Sequence, residues 1–192
     1  MTATAMVAAE PVAGVPATSS GAAMLECRGV AVSYGRRRLL APLDLRVAEG
    51  SVYALLGRNG TGKSSLVRVL LGLQPSTAGA VRLLGRDPWR ERAALMADVG
   101  FVAEDPQAPP EMTPRALVAF CGRLRERWDG GGALARLGRF GVPLDTTFRK
   151  LSRGQRKQVE LALALAHRPK LLSSTTPASG STRSPGAPSS VR

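Results

Sequence analysis

The chain has 192 residues, which suits one domain with a buried core and, at most, an inserted subdomain. Its 27 Lys and Arg against 14 Asp and Glu give a net charge of +13, but the cations are scattered and aromatic residues make up only 4%, so we expect no specific nucleic-acid partner. Cys27 and Cys121 stand too far apart to suggest a zinc site or a disulfide framework, and no apolar run approaches the roughly 20 residues of a membrane-spanning helix.

The start of the chain is rich in Ala, Thr, Ser and Val and lacks the basic residues and compact apolar core of a secretory signal, so we interpret residues 1–23 as a disordered leader. Folded-looking sequence begins at Met24, which we expect to be the native start. Over residues 25–47 apolar and polar side chains alternate, which predicts two strands joined by a turn at Gly35. Tyr34 lies in that turn.

Residues 57–64 read Gly-Arg-Asn-Gly-Thr-Gly-Lys-Ser and match the phosphate-binding pattern G-x-x-x-x-G-K-[ST] at every fixed position. An apolar run at 52–56 predicts a buried strand before them, and the apolar spacing from Leu66 predicts a helix after them. The glycines let main-chain N–H groups turn around phosphates, Lys63 would reach the β- and γ-phosphates, and Ser64 offers Mg²⁺ a hydroxyl ligand. The alternative is a glycine-rich turn with an incidental lysine.

Two further strands are predicted, at 79–85 and at 99–103. The second runs into Glu104 and Asp105, at the strand end where parallel sheets place ligands. These acids are therefore candidates for the site.

A helical insertion is predicted over about 106–165, with helices at 114–128 and 133–140 on either side of three glycines. Near its end, residues 151–155 read Leu-Ser-Arg-Gly-Gln and precede a strongly helix-forming run. Ser152 is a natural N-cap, so main-chain donors there would face an anion. We expect His167, the only histidine, at a helix C-terminus facing the dipole.

With a phosphate loop followed by Leu-Ser-x-Gly-Gln before a helix, the chain resembles, over residues 25–172, the ATP-binding subunit of an ATP-binding cassette (ABC) transporter. The resemblance implies an α/β fold: a P-loop NTPase core with a RecA-like parallel sheet and antiparallel strands, plus the ABC helical subdomain. It implies ATP and Mg²⁺ as cofactors. It also implies a transmembrane permease subunit and a second ATP-binding subunit as partners, in a homo- or heterodimer, and a cytoplasmic location at the inner face of the cell membrane.

The resemblance gives roles to the residues around the second motif. Ser152 and Gly154 would contact the γ-phosphate of ATP held by the second subunit, and Gln155 would support them. Arg153 stands in place of the commonest glycine and adds a cation there. The predicted contacts to the second subunit's ATP are Ser152, Arg153, Gly154 and Gln155.

Tyr34 resembles the aromatic residue that stacks on adenine; the alternative is a surface tyrosine packed in its turn. Glu104 stands where the family usually has a Gln that contacts Mg²⁺ and the attacking water, a role that a carboxylate can also fill. The predicted metal ligands are Ser64 and Glu104. The predicted nucleotide-binding residues are Tyr34, Gly57, Arg58, Asn59, Gly60, Thr61, Gly62, Lys63, Ser64 and Ser65.

The sequence departs from the family after Leu172. The family requires an apolar strand ending in an Asp for Mg²⁺ and a neighbouring acid that polarises water, whereas this chain reads Ser-Ser-Thr-Thr-Pro-Ala-Ser-Gly and has no Asp or Glu after Glu160. No catalytic residue is therefore assigned. Moving the reading frame by one base permits Leu-Leu-Asp-Asp-Pro-Gly-Leu-Gly-Leu-Asp-Pro. We interpret residues 173–192 as a disordered, out-of-frame tail and the domain at 24–172 as incomplete at its C-terminus.

Three functions stay open on this sequence. The first is an ATPase subunit that couples ATP binding and hydrolysis to a membrane partner. The second is a truncated fragment that binds nucleotide without hydrolysing it, and the third is a soluble ABC-type protein acting on ribosomes or DNA.

Overall fold

The structure, a computed structural model, describes residues 4–9, 22–56 and 60–175. The strands in these ranges are β1 (Thr4–Ala9), β2 (Ala23–Tyr34), β3 (Arg37–Ala48), β4 (Tyr53–Leu56), β5 (Ala78–Leu83), β6 (Val99–Val102) and β7 (Leu171–Ser174). The α-helices are α1 (Lys63–Leu70), α2 (Arg92–Met96), α3 (Pro114–Gly122), α4 (Gly130–Arg139) and α5 (Arg153–Ala166), with a 3-10 turn at Phe148–Lys150. The predicted α/β class is confirmed.

One sheet is antiparallel, in the order β3-β2-β5. The predicted pair of strands around Gly35 is confirmed, and Cys27 at the centre of β2 pairs with Leu45 of β3 and Val81 of β5. Its inner face packs with α1 into the larger of two apolar cores. This sheet therefore covers one side of the helix that follows the phosphate loop.

The other sheet is parallel throughout, in the order β4-β1-β7-β6. Here the prediction of a disordered leader is wrong for residues 4–9, because β1 lies between β4 and β7 and pairs with both. This strand could not be predicted from the sequence, because a central strand is held by hydrogen bonds of its main chain, and a run of small residues can form these bonds as well. The last residue of the predicted leader, Ala23, also belongs to a strand, since it begins β2 and pairs with Ala48, whereas residues 1–3 and 10–21 lie outside the described residues.

Strand β7 also corrects a predicted boundary. The folded domain was predicted to end at Leu172, but β7 continues through Ser174, and the buried Ser173 pairs with Phe101 of β6. Thr175 extends the contact by donating its N–H to the Val102 carbonyl over 3.0 Å. Main-chain pairing with β6 holds these residues whatever their side chains are, and the remainder of the predicted tail lies outside the described residues.

The helical insertion packs around a second apolar core, formed by α3, α4, α5 and the 3-10 turn. Helix α3 ends at Gly122 and not at the predicted residue 128. Beyond its end, Arg125 and Arg127 donate to the Met96 and Ala97 carbonyls over 3.0 Å each. Helix α4 begins at Gly130, earlier than predicted, because the Asp129 carboxylate caps it by accepting the Gly132 N–H. The short helix α2 was not predicted.

Helix α5 attaches the insertion to the parallel sheet. It lies so close to β6 that a β-carbon on Gly100 would stand 2.8 Å from the Ala164 carbonyl oxygen. His167, predicted at a helix end, follows α5 directly and is buried, and its Nε2 donates to the Val99 carbonyl over 3.1 Å. The end of α5 thus lies at the amino end of β6.

Candidate functional site

The phosphate loop follows β4 at the carboxyl edge of the parallel sheet, and α1 begins at Lys63, directly within the predicted motif. Gly57, Arg58 and Asn59 lie outside the described residues. Gly60 and Gly62 have φ of 88° and 92°, the left-handed conformation that glycine tolerates. A β-carbon on Gly62 would also stand 2.3 Å from the Leu39 carbonyl oxygen of β3, so this position needs glycine on both counts.

The start of α1 suits an anion. Its N-cap, Gly62, offers no capping side chain, and its first turn contains no acidic residue. The first-turn N–H groups, which have no acceptor within the helix, therefore combine with the dipole to favour negative charge. Thr61 and Ser64 are exposed and Lys63 is partly exposed, whereas Ser65 is buried, so a ligand would meet the Ser65 main chain before its hydroxyl.

Tyr34 stands beside this helix. Its side chain is 60% exposed, and its hydroxyl donates to Gln74 Oε1 over 3.2 Å. Gln74 Nε2 in turn donates to the Ser65 carbonyl over 3.4 Å, so a relay of two hydrogen bonds links the predicted adenine platform to the first turn of α1. Sequence reasoning missed Gln74, because a glutamine in the turn after a helix carries no recognisable pattern.

Glu104 is exposed at the carboxyl end of β6. Strands β4 and β6 are the outer strands of the sheet as described, so three strand spacings, about 14 Å, separate the strand that leads to Ser64 from the strand that leads to Glu104. The loop after β6 would therefore have to reach across this distance for Glu104 to contact a metal at Ser64.

Ser152 caps α5 as predicted. Its hydroxyl accepts the Gln155 N–H over 3.2 Å, and the Gln155 amide oxygen accepts the Ser152 N–H over 2.9 Å, a reciprocal capping box. Ser152, Arg153 and Gly154 are exposed, and a β-carbon on Gly154 would meet only the Ser152 hydroxyl, at 4.0 Å. Nothing within the described chain explains why this position is glycine.

Two basic residues of α5 escaped prediction, since a helix normally turns such side chains to solvent. The Arg156 guanidinium donates to the carbonyls of Phe148, Arg149 and Leu151 and lies over the Phe148 ring, 5.4 Å from its centre. It thereby fixes the segment that leads into Ser152. The second residue, Lys157, reaches the carboxyl end of β6, where it donates to the Ala103 and Glu104 carbonyls.

The oxygen ligands fit a magnesium ion only together with a nucleotide. Among the described residues, no group of three or more His, Cys, Asp or Glu side chains comes together to hold a metal. Mg²⁺ commonly takes one or two protein oxygens and completes its shell with phosphates and water, which is a set that the exposed Ser64 and Glu104 can supply. Strand β7 ends in Ser173 and Ser174 and is followed by Thr175, so hydroxyls stand at this strand end in place of carboxylates.

Comparison with known proteins identifies relatives of this arrangement. A family model described as ABC transporter matches residues 40–174. The chain is 38% identical over 154 residues to the Fe(3+) ions import ATP-binding protein of Streptomyces coelicolor, covering 78% of this chain and 44% of that protein. It is 35% identical over 161 residues to the daunorubicin resistance ATP-binding protein of Streptomyces coeruleorubidus, covering 79% and 50%. The chain thus spans about half the length of these relatives.

Solved structures share the fold. The ATP-binding subunit of an ABC transporter superposes with a TM-score of 0.68 at 18% identity, covering 80% of this chain and 79% of that chain. The cbiO1 protein of Clostridium perfringens, described as part of the ABC transporter complex cbiONQ, gives a TM-score of 0.67 at 20% identity, with coverage of 80% and 78%. In the part of the chain that the structure describes, no helix has the length and apolar character to cross a bilayer.

Proposed function

Because the chain belongs to the ABC transporter family, we propose that it is an ATP-binding subunit that takes Mg²⁺ and ATP at the carboxyl edge of its parallel sheet. The observation that carries this proposal is the junction after β4. There Gly60 and Gly62 are left-handed, and α1 begins without a capping side chain or a first-turn acid. This arrangement directs main-chain N–H groups and a helix dipole at one place, which suits the phosphates.

Different side chains around this junction bind different parts of the nucleotide. Lys63 binds the β- and γ-phosphates, Ser64 and Glu104 hold Mg²⁺, and Tyr34 stacks on the base. The metal, when bound, neutralises charge on the phosphates. Gln74 links the two proposed subsites, since it accepts a hydrogen bond from the Tyr34 hydroxyl and donates one to the Ser65 carbonyl.

A second ATP-binding subunit is the partner proposed for the start of α5. Ser152, Arg153 and Gly154 are exposed, and the bare position at Gly154 leaves room for another molecule to approach the main chain. We also propose a transmembrane permease subunit, which would hold the protein at the inner, cytoplasmic face of the cell membrane. Co-purification with a permease would support this location, and purification with ribosomes instead would contradict it.

A second candidate function is nucleotide binding without turnover. It is favoured by the end of β7, where Ser174 and Thr175 place hydroxyls. A hydroxyl at neutral pH neither neutralises Mg²⁺ nor accepts a proton from water as a carboxylate does. The two candidates therefore share the binding site and differ in chemistry.

The experiment measures binding of a fluorescent ATP analogue to the full chain with Mg²⁺, and phosphate release in the same samples. Lys63→Ala should weaken binding about tenfold or more, because a charge-assisted hydrogen bond is lost. The matched control is Lys170→Ala, which removes a lysine bonded to Asp98 at the amino edge of the sheet. Equal affinity of both variants would contradict the proposed site. Phosphate release that depends on Lys63 would select the hydrolysing candidate, and its absence the other.

A further inference from the structure

Lys157, on the second turn of α5, joins the ends of two parallel strands. Its ammonium donates to the carbonyl oxygens of Ala103, Glu104 and Thr175, the last two over 3.0 and 3.4 Å. Ala103 and Glu104 follow β6, and Thr175 follows β7. All three donors of this one side chain are thus directed to main-chain acceptors at the carboxyl edge of the sheet.

A second side chain of α5 supports the same loop. Glu160, one turn further along, is partly buried, and its Oε2 is enclosed without a hydrogen-bond partner. Burial raises the pKa of Glu160, against the lowering effects of a hydrogen bond from the Ala103 main chain and of the Lys157 charge. The main chain of Ala103 is therefore in contact with two ionisable groups of α5.

The direction of α5 determines which parts of the protein the Lys157 contact connects. Lys157 meets the carboxyl end of β6, while His167, just beyond the other end of α5, meets the amino end at Val99. Helix α5 therefore runs antiparallel to β6, and Ser152, five residues before Lys157, projects about 7.5 Å past that contact along the helix axis. Lys157 is the point where the helix that carries Ser152 is fastened to the loop that carries Glu104.

We propose that Lys157 is a positioning residue, which holds the loop of residues 103–105 against α5 and so sets the position of the Glu104 carboxylate relative to Mg²⁺ and nucleotide at the phosphate loop. The inference rests on the proposed nucleotide site. Because about 14 Å of sheet separates β4 from β6, a loop that is free to move would carry Glu104 away from the metal. Two hydrogen bonds from the Lys157 ammonium to this loop, together with a third to Thr175 beyond the neighbouring strand, restrict that movement.

The test compares the full wild-type chain with Lys157→Met, which keeps most of the apolar stem and removes the donors, and Lys157→Arg, which restores them. The matched control is Lys170→Met: Lys170 contacts the segment before β6, at the opposite edge of the same strands. Binding of the fluorescent ATP analogue is measured in Mg²⁺ and in EDTA, and the ratio of the two Kd values gives the contribution of the metal.

We expect Lys157→Met to reduce the Mg²⁺ contribution about tenfold, as loss of a group that orients a metal ligand does, while Lys170→Met leaves it unchanged and Lys157→Arg recovers most of it. Hydrogen exchange of nucleotide-free protein should show faster exchange over residues 103–105 in Lys157→Met alone. A purely structural lysine would shift stability or both Kd values together without changing their ratio.

Two results would overturn the proposal and are distinguishable from failure of the proposed function. Normal nucleotide binding with a wild-type Mg²⁺ ratio in Lys157→Met would overturn only the positioning role, as would unchanged hydrogen exchange over residues 103–105. A wild-type chain that binds no nucleotide in either buffer would overturn the proposed function, and with it this role.

Discussion

The Leu39 carbonyl oxygen of β3 stands 2.3 Å from where a β-carbon of Gly62 would lie. The phosphate loop is therefore pressed against the antiparallel sheet, and the last glycine of the motif is fixed by packing as well as by its φ of 92°. We expect Gly62→Ala to destabilise the fold by at least about 2 kcal/mol, since backbone strain adds to a steric clash. Urea unfolding of the purified chain measures this difference.

The control for that variant is Gly138→Ala. Gly138 lies on α4, and no heavy atom stands within 4 Å of its would-be β-carbon. This substitution should stabilise the fold by about 0.5 to 1 kcal/mol, because alanine favours a helix over glycine. Equal free energies of unfolding for the two variants would contradict the close approach between Gly62 and β3.

Tyr34 distinguishes adenine stacking from simple packing in a turn. Tyr34→Leu removes the ring and should weaken binding of the ATP analogue about tenfold, as stacking on a base contributes about 1 to 3 kcal/mol. Tyr34→Phe loses only the hydrogen bond to Gln74 and should retain most of the affinity. Inorganic triphosphate, which has no base, should compete equally well in both variants, and an equal loss of triphosphate binding in Tyr34→Leu would indicate that Tyr34 supports only the loop.

The structure has a strand, β1, where the sequence predicted a disordered leader. Met6 pairs with Tyr53 on one side and with Ser173 on the other. Met6→Pro should therefore destabilise the fold by about 2 kcal/mol, because proline removes an N–H from the interior of a sheet. Met6→Ile keeps the N–H and serves as the control. If the leader is disordered, thermal unfolding of both variants will match that of the wild type.

His167 predicts how stability changes with pH. Burial, with a smaller effect from the charge of Arg125, holds the pKa of His167 below its ordinary value of 6.5, and the neutral ring donates to the Val99 carbonyl. The unfolded chain binds the proton more readily, so this contribution is complete above about pH 6.5 and is lost as the pH falls through the folded-state pKa. Thermal unfolding at pH 7.5 and 5.5 in His167→Gln, which keeps a donor but does not titrate, should show a smaller fall than the wild type.

Residues that act within a short stretch of sequence were predictable. The glycines before Lys63 and the Ser152 cap are recognisable in the sequence, because the groups with which they act lie only a few positions away. Gln74, Arg156 and Lys157 did not, since each serves main-chain carbonyls brought near by the fold, and carbonyls are the same at every position. Helix ends were mispredicted for a similar reason. Arg127, predicted to lie in α3, is outside that helix and donates to the Ala97 carbonyl at the end of α2.

The same limit applies to the strands. Strands β2 and β3 were predictable because one face is apolar and the alternation is visible. Strands β1 and β7 lie inside a parallel sheet, where neighbouring main chains on both sides determine the pairing, so neither Thr4–Ala9 nor Ser173 carries a strong signal. The position of Glu104 relative to Ser64 likewise depends on the strand order, which spacing in the sequence does not reveal.

The pairing of Thr4 with Leu171 also governs how the molecule is made. Of the described strands, β1 leaves the ribosome first and β7 last, so the parallel sheet closes only after the chain between them has emerged. Contacts between such distant positions slow folding, because a long loop must close before they form. Until then β1, which can already pair with β4, lacks β7 on its other side, and that open edge is exposed to other nascent chains. Yield in cells should therefore respond to chaperone supply and to growth temperature.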